Sequence, residues 1–128
     1  MAQALNPIGH YARAGIPVVL SSDAPVAFPR PLEAVQAAVE RRTVGGSVLG
    51  GPDLRIDVIT ALRGYTIGGA YRAHQDHRVG SLEPGKLADL VILAADPMAS
   101  PIQDLSAIAV EETWVGGRPI DMSGSEPA

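Results

Sequence analysis

Ile16-Pro17-Val18-Val19-Leu20 is a continuous apolar run with no polar alternation. A strand with one wet face alternates polar and apolar side chains, so an unbroken run marks a strand buried on both faces, as in a parallel sheet covered by helices. Such a strand needs a hydrogen-bonded neighbour on each side and a packed layer above and below. Ahead of it, Asn6-Pro7 carries a helix-start signal, an N-cap residue followed by proline at the first helical position. Ile8, Tyr11 and Ala12 recur at helical spacing until Gly15 ends the helix. Helix, glycine, buried strand is half of a βαβ unit, which makes the chain α/β.

With 128 residues there is room for one domain at most. Ten basic and fourteen acidic side chains give a net charge of −4, the wrong sign for a polyanion-binding surface, so nucleic acid is excluded as a partner. No cysteine is present. That removes disulfides, thiolate zinc sites and thiol nucleophiles, and it points to a cytoplasmic protein. No apolar stretch is long enough to span a bilayer, so no membrane association is expected.

The chain reads as two pieces and a tail: 1–78, 79–120 and 121–128. Up to Arg78 eight arginines face six acids, whereas from Val79 onward two bases face eight acids. In the first piece Ala24 to Pro31 is a proline-rich loop, and Leu32, Val35, Gln36 and Val39 describe a helix ending near Arg42. Val44 to Pro52 is a glycine-rich flexible loop that lacks the Lys-Ser/Thr of a P-loop. Asp57 caps a further helix running through Gly68-Gly69 to about Ala73. The second piece is β-rich. Glu83-Pro84-Gly85-Lys86 makes a type II turn, Ala88 to Leu93 and Ile108 to Val115 are strands, and Pro101 to Leu105 is a helical turn between them. Gly116-Gly117 turns the chain back into Arg118-Pro119-Ile120.

Asp23, in Ser21-Ser22-Asp23-Ala24-Pro25, puts a carboxylate at the carboxyl end of the buried strand, where α/β folds place ligands and catalytic groups. The competing reading is a turn cap before Pro25. His74 and His77 have the i, i+3 spacing of a two-imidazole metal site, but they sit in a polar stretch that suits a solvated connector. His10 has no acidic or histidine neighbour one helical turn away and is assigned a structural role. Arg41-Arg42 close a helix and complement its dipole. No serine lies in a grouping with His and Asp close in sequence.

Gly80-Ser81-Leu82-Glu83-Pro84-Gly85-Lys86-Leu87-Ala88-Asp89-Leu90-Val91-Ile92-Leu93 resembles the signature with which metal-dependent amidohydrolases pass from their barrel into a small β-sandwich. Gly15 to Val26 resembles that family's eighth barrel strand with its Ser-Asp-x-Pro ending. Tyr65-Thr66 and Ala70-Tyr71 resemble the last barrel helix, and Thr113 to Arg118 the terminal hairpin. The resemblance is nearest to the branch that includes N-substituted formamide deformylase. It implies the last strand and helices of a (β/α)8 TIM barrel followed by part of a small β-sandwich. It also implies that Asp23 is a metal ligand and general base toward water bound to a divalent metal such as zinc, with a small amide-type molecule as substrate. The family's His-x-His pair, bridging Lys and later histidines have no counterpart here.

A complete barrel needs at least about 200 residues, and a catalytic zinc normally has three protein ligands. The expectation is therefore a carboxyl-terminal fragment of an amidohydrolase, inactive and without tightly bound metal by itself, whether from a truncated reading frame, a pseudogene or a deliberate cut. The alternative is a non-catalytic binding or oligomerisation module. In either case the unpaired edges of Ile16–Leu20 and Ala88–Leu93 predict a homo-oligomer or a partly unfolded chain.

Overall fold

A computed structural model describes residues 6–43 and 45–121. The expected start at 1–5, position 44 and the tail from 122 lie outside the described residues.

The element order is α1 (Ile8–Arg13), α2 (Pro31–Glu40), a 3₁₀ turn (Pro52–Leu54), α3 (Val58–Tyr65), α4 (Ile67–Arg72), β1 (Leu90–Leu93), a 3₁₀ helix (Ile102–Ala107), β2 (Val110–Val115) and β3 (Arg118–Pro119). Pro7, not Asn6, occupies the N-cap of α1. Asp57 caps α3 as its sequence position predicts, with its Oδ1 accepting the Thr60 N–H at 2.9 Å. The helix expected from Asp57 to Ala73 breaks at Thr66, whose φ −106°, ψ −98° lies outside the helical region. Its hydroxyl donates back to the Leu62 carbonyl at 3.0 Å, an alternative to the regular ladder that bends helices.

Buried apolar side chains of α2 (Val35, Ala38, Val39) meet Ile56, Ala61 of α3 and Leu105 of the second 3₁₀ helix in one core. Leu105 and Val35 are fully buried. The Ser106 N–H donates to the Gln36 side chain at 2.9 Å and ties the same contact. The acidic half thus sends one turn back into the helical layer between β1 and β2.

The strands form one antiparallel sheet in the order β1-β2-β3. Leu90 pairs with Trp114 and Val91 with Thr113, and the register slips between Ile92 and Leu93. Val115 opposite Arg118 closes the hairpin over Gly116-Gly117, both at positive φ. Gly85, at φ +92°, completes the turn read from Glu83 to Lys86, whose ends join through the Lys86 N–H and Glu83 carbonyl at 3.1 Å.

Two expectations are corrected. Ile16–Leu20 is extended but belongs to no strand. No described strand lies beside it, helices cover it on one side, and Ile16 is left 52% exposed. The glycine-rich loop is folded back rather than free. The Arg41 guanidinium donates to the Leu49 and Asn6 carbonyls at 3.0 and 3.1 Å, and Arg42 reaches Gly46 at 3.0 Å. Arg41 is buried and left-handed (φ +53°) as the cap of α2. Arg41 and Arg42 therefore organise the loop through the same carbonyl-seeking chemistry that suits a helix end.

Candidate functional site

The extended segment that leads to Asp23 is positioned by two glycines four residues apart, Gly64 and Gly68. At Gly64 a Cβ would lie 3.0 Å from Leu20 Cγ, and at Gly68 one would lie 2.8 Å from the Val18 carbonyl oxygen. Only a bare backbone admits the segment this closely. The Leu20 N–H donates to the Gly64 carbonyl at 3.2 Å and fixes the level at which the segment leaves the helices.

Asp23 follows three residues later. Its backbone is left-handed (φ +58°), a conformation that aspartate visits more readily than most residues. The Asp23 N–H donates to Ser21 Oγ at 3.2 Å, and the Val26 N–H donates to the Asp23 carbonyl at 2.8 Å. The turn is thus closed through the backbone of Asp23, while the side chain is exposed. Among the described residues its carboxylate has no hydrogen-bond or ion-pair partner. A carboxylate left free in this way can accept a proton or ligate a cation. It cannot hold a resident metal unaided, because a catalytic zinc takes three protein ligands and no cluster of three His, Asp or Glu occurs among the described residues.

The other candidates do not join Asp23. His74 is left-handed (φ +56°), and both His74 and His77 lie exposed in turns beyond α4, so helical spacing does not apply to them. His10 does have an acidic partner, since Nε2 lies 2.7 Å from Asp53 Oδ2. That hydrogen bond holds the Asp53 carboxyl below the usual carboxylate range. Arg13 also reaches the Asp53 carbonyl, so α1 is pinned to the 3₁₀ turn. The partners stand 43 residues apart, and no spacing rule reports such a pair.

In the second half, Lys86 Nζ donates to Ser81 Oγ at 2.6 Å, and Ser81 donates to Glu83 Oε1 at 2.6 Å. The Ser81 hydrogen bond, aided by the nearby Lys86 charge, lowers the Glu83 pKa. Ser81 bonds to both Glu83 and Lys86, and the three side chains clamp the turn. A hollow of about 490 Å³ lies between α4 and β1, lined by Tyr65, Ala70, Val79, Leu82 and Val91 among others. Tyr65 also packs against the core, its hydroxyl is buried without a partner, and burial raises its pKa. Asp89 borders the hollow, but its carboxylate accepts the Gly116 N–H at 2.7 Å and so belongs to the hairpin. None of Asp23, His10, His74 and His77 lines this hollow.

Helices packed on the Ile16–Leu20 segment, followed by a small antiparallel sheet, form an α/β arrangement shared with solved structures. An amidohydrolase from Thermotoga maritima superposes with a TM-score of 0.66 at 21% identity, over 91% of this chain and 26% of that one. An adenosine deaminase from Xanthomonas campestris with bound zinc superposes at 0.65 and 25% identity, over 88% and 27%. The model of the amidohydrolase family matches residues 1–121, and the chain belongs to that family. N-substituted formamide deformylase from Arthrobacter pascens is 36% identical over 113 residues, which are 88% of this chain and 21% of the relative. Protein LONG AFTER FAR-RED 3 from Arabidopsis thaliana is 42% identical over 101 residues, 79% of this chain and 17% of the relative. The chain thus spans about a fifth of the length of these curated relatives. The family resemblance carried by Gly80 to Leu93 and Gly15 to Val26 is borne out.

Proposed function

We propose that this chain is the carboxyl-terminal segment of an amidohydrolase that cleaves an amide-type C–N bond in a small molecule, and that Asp23 is its contribution to the active site. The single observation that carries the reading is the Asp23 carboxylate, held by its own backbone at the end of the Ile16–Leu20 segment and left without a partner. Hydrolysis joins the oxygen of water to the acyl carbon and transfers a proton to the departing nitrogen. A carboxylate at that place accepts the proton from water and returns it to the amine. In this reading Ile16–Leu20 with α1 to α4 is the last part of a barrel, 79–120 is part of a sandwich, and neighbouring strands come from elsewhere in a longer polypeptide. A divalent metal, zinc by analogy with the adenosine deaminase structure, would take Asp23 as one ligand and the rest from outside these residues. The described residues alone do not fit it, since they hold no group of three His, Asp or Glu.

Turnover of N-substituted formamides by the protein as the cell makes it, read as amine release, tests the assignment. Asp23→Asn should lower kcat by about 10²- to 10⁴-fold with the melting temperature unchanged. Near-normal turnover would remove Asp23 from the role.

A second reading, a non-catalytic binding or oligomerisation module, is favoured by one feature. Val91 and Ile92, which point to opposite faces of β1, are 53% and 40% exposed.

A further inference from the structure

A groove runs between α1 and α3. Two hollows of about 250 and 270 Å³ lie in it and share Ala12 and Thr60 in their linings. Arg13 and Arg55 line the smaller hollow and Arg63 the larger, and Asp57 is the one acidic residue in either lining. Three arginines against one acid leave the groove positive in a chain whose net charge is −4. Their hydrogen-bonding capacity is only partly used. Arg13 donates to the Asp53 carbonyl, which orients its guanidinium against the 3₁₀ turn and leaves its other N–H donors free. The Arg55 Nε–H is buried with no hydrogen-bond partner among the described residues. A buried guanidinium N–H without an acceptor is costly, and a bound ion is one physical reason for it to persist.

We propose that the groove between α1 and α3 binds a phosphate group, with the Arg55 and Arg13 guanidinium groups and the Thr60 hydroxyl as its donors. A phosphate dianion balances the excess positive charge, and its oxygens accept from two planar guanidinium forks at once. A carboxylate brings one charge and two oxygens, which a single guanidinium already satisfies. Free phosphate and a phosphate ester offer the groove the same oxygens. In an ester the organic part has the adjoining hollow beside it, where Ile16, Pro17, Val18 and Ile67 supply apolar surface. Asp23 lines neither hollow, so the site is independent of that residue's catalytic role. A ligand held there would bridge α1, the 3₁₀ turn and α3, and so stabilise the chain by binding only its folded form.

Calorimetric titration of the 128-residue chain tests the site, at constant ionic strength and about pH 8, above the second pKa of a phosphate ester. The probes are inorganic phosphate, phenyl phosphate and acetate. Phosphate should saturate one site per chain and raise the melting temperature, and acetate should bind at least about 10-fold more weakly. Phenyl phosphate binding more tightly than inorganic phosphate would assign the group to an organic ester, and equal affinities would assign it to free phosphate. Arg55→Gln should weaken phosphate binding at least about 10-fold, and Arg55→Lys should recover part of the loss. Asp57→Asn keeps an N-cap but removes the negative charge, so it should tighten binding by about 2- to 5-fold. Arg30→Gln, outside the groove, should change nothing. Phosphate affinity insensitive to Arg55→Gln, or lowered as much by Arg30→Gln, would overturn the proposal. So would acetate binding as tightly as phosphate, or phosphate that neither saturates a site nor moves the melting temperature.

Discussion

Asp57 and Asp23 are the same side chain in opposite settings, one carboxylate hydrogen-bonded and the other exposed. Asp57 spends its carboxylate on the Thr60 N–H at the start of α3, a role readable in the sequence because a cap stands immediately before an apolar periodic stretch. Asp57→Ala should cost about 1 kcal/mol in urea unfolding, the usual worth of such a cap. The same Thr60 hydrogen bonds lower the Asp57 pKa, and those of His10 and Ser81 lower Asp53 and Glu83. Each group is more acidic folded than unfolded. Its contribution is therefore complete above the unfolded value near 4 and is lost as pH falls through the folded pKa. Stability measured from pH 7 down to pH 3 should be flat and then decline below about pH 4.5, with part of the decline removed in Asp53→Asn. A decline beginning above pH 6 would assign the sensitivity to other groups. Asp23 was singled out by its place at the end of an apolar run, and its catalytic role is a proposal. The His10–Asp53 pair was not, because long-range side-chain partners leave no trace in local spacing.

Among the elements, the helices followed from their apolar periodicity, whereas the break at Thr66 and the contact across Gly64 and Gly68 did not. Gly64 near the end of α3 and Gly68 near the start of α4 admit the close approach of another backbone, and in the sequence that signal lay hidden beside the adjacent Gly69. The two neighbours give a sharp contrast. Gly68→Ala would place a methyl 2.8 Å from the Val18 carbonyl, which cannot rotate aside. It should cost about 1–3 kcal/mol despite the better helix propensity of alanine. At Gly69 a Cβ meets nothing within 4 Å, and Gly69→Ala should stabilise by up to about 1 kcal/mol. Thermal melts of the two variants moving in the same direction would contradict the packing described. The Ile16–Leu20 run shows the limit of pattern reading. Its apolar continuity encodes a strand covered on both faces, but strand pairing requires partners that no described residue supplies.

For the molecule as a whole, one core joins α2, α3 and the 3₁₀ helix that carries Leu105, while large apolar side chains remain outside it, including Leu82 at 74% exposure and Val91 at 53%. Exposed apolar surface next to an open strand edge favours association. Size exclusion coupled to light scattering should therefore find the 128-residue chain as a homo-oligomer, whereas a monodisperse monomer with a cooperative melt would mean that the chain closes on itself. The central claim is that Asp23 completes an active site whose other groups lie outside these residues. The direct measurement is reconstitution, in which this chain is mixed with N-substituted formamide deformylase from which the matching 113 residues have been removed, and amine release from an N-substituted formamide is followed. The account predicts no turnover from either piece alone and turnover from the mixture, reduced about 10²- to 10⁴-fold when the chain carries Asp23→Asn. A mixture equally active with and without that substitution would contradict it.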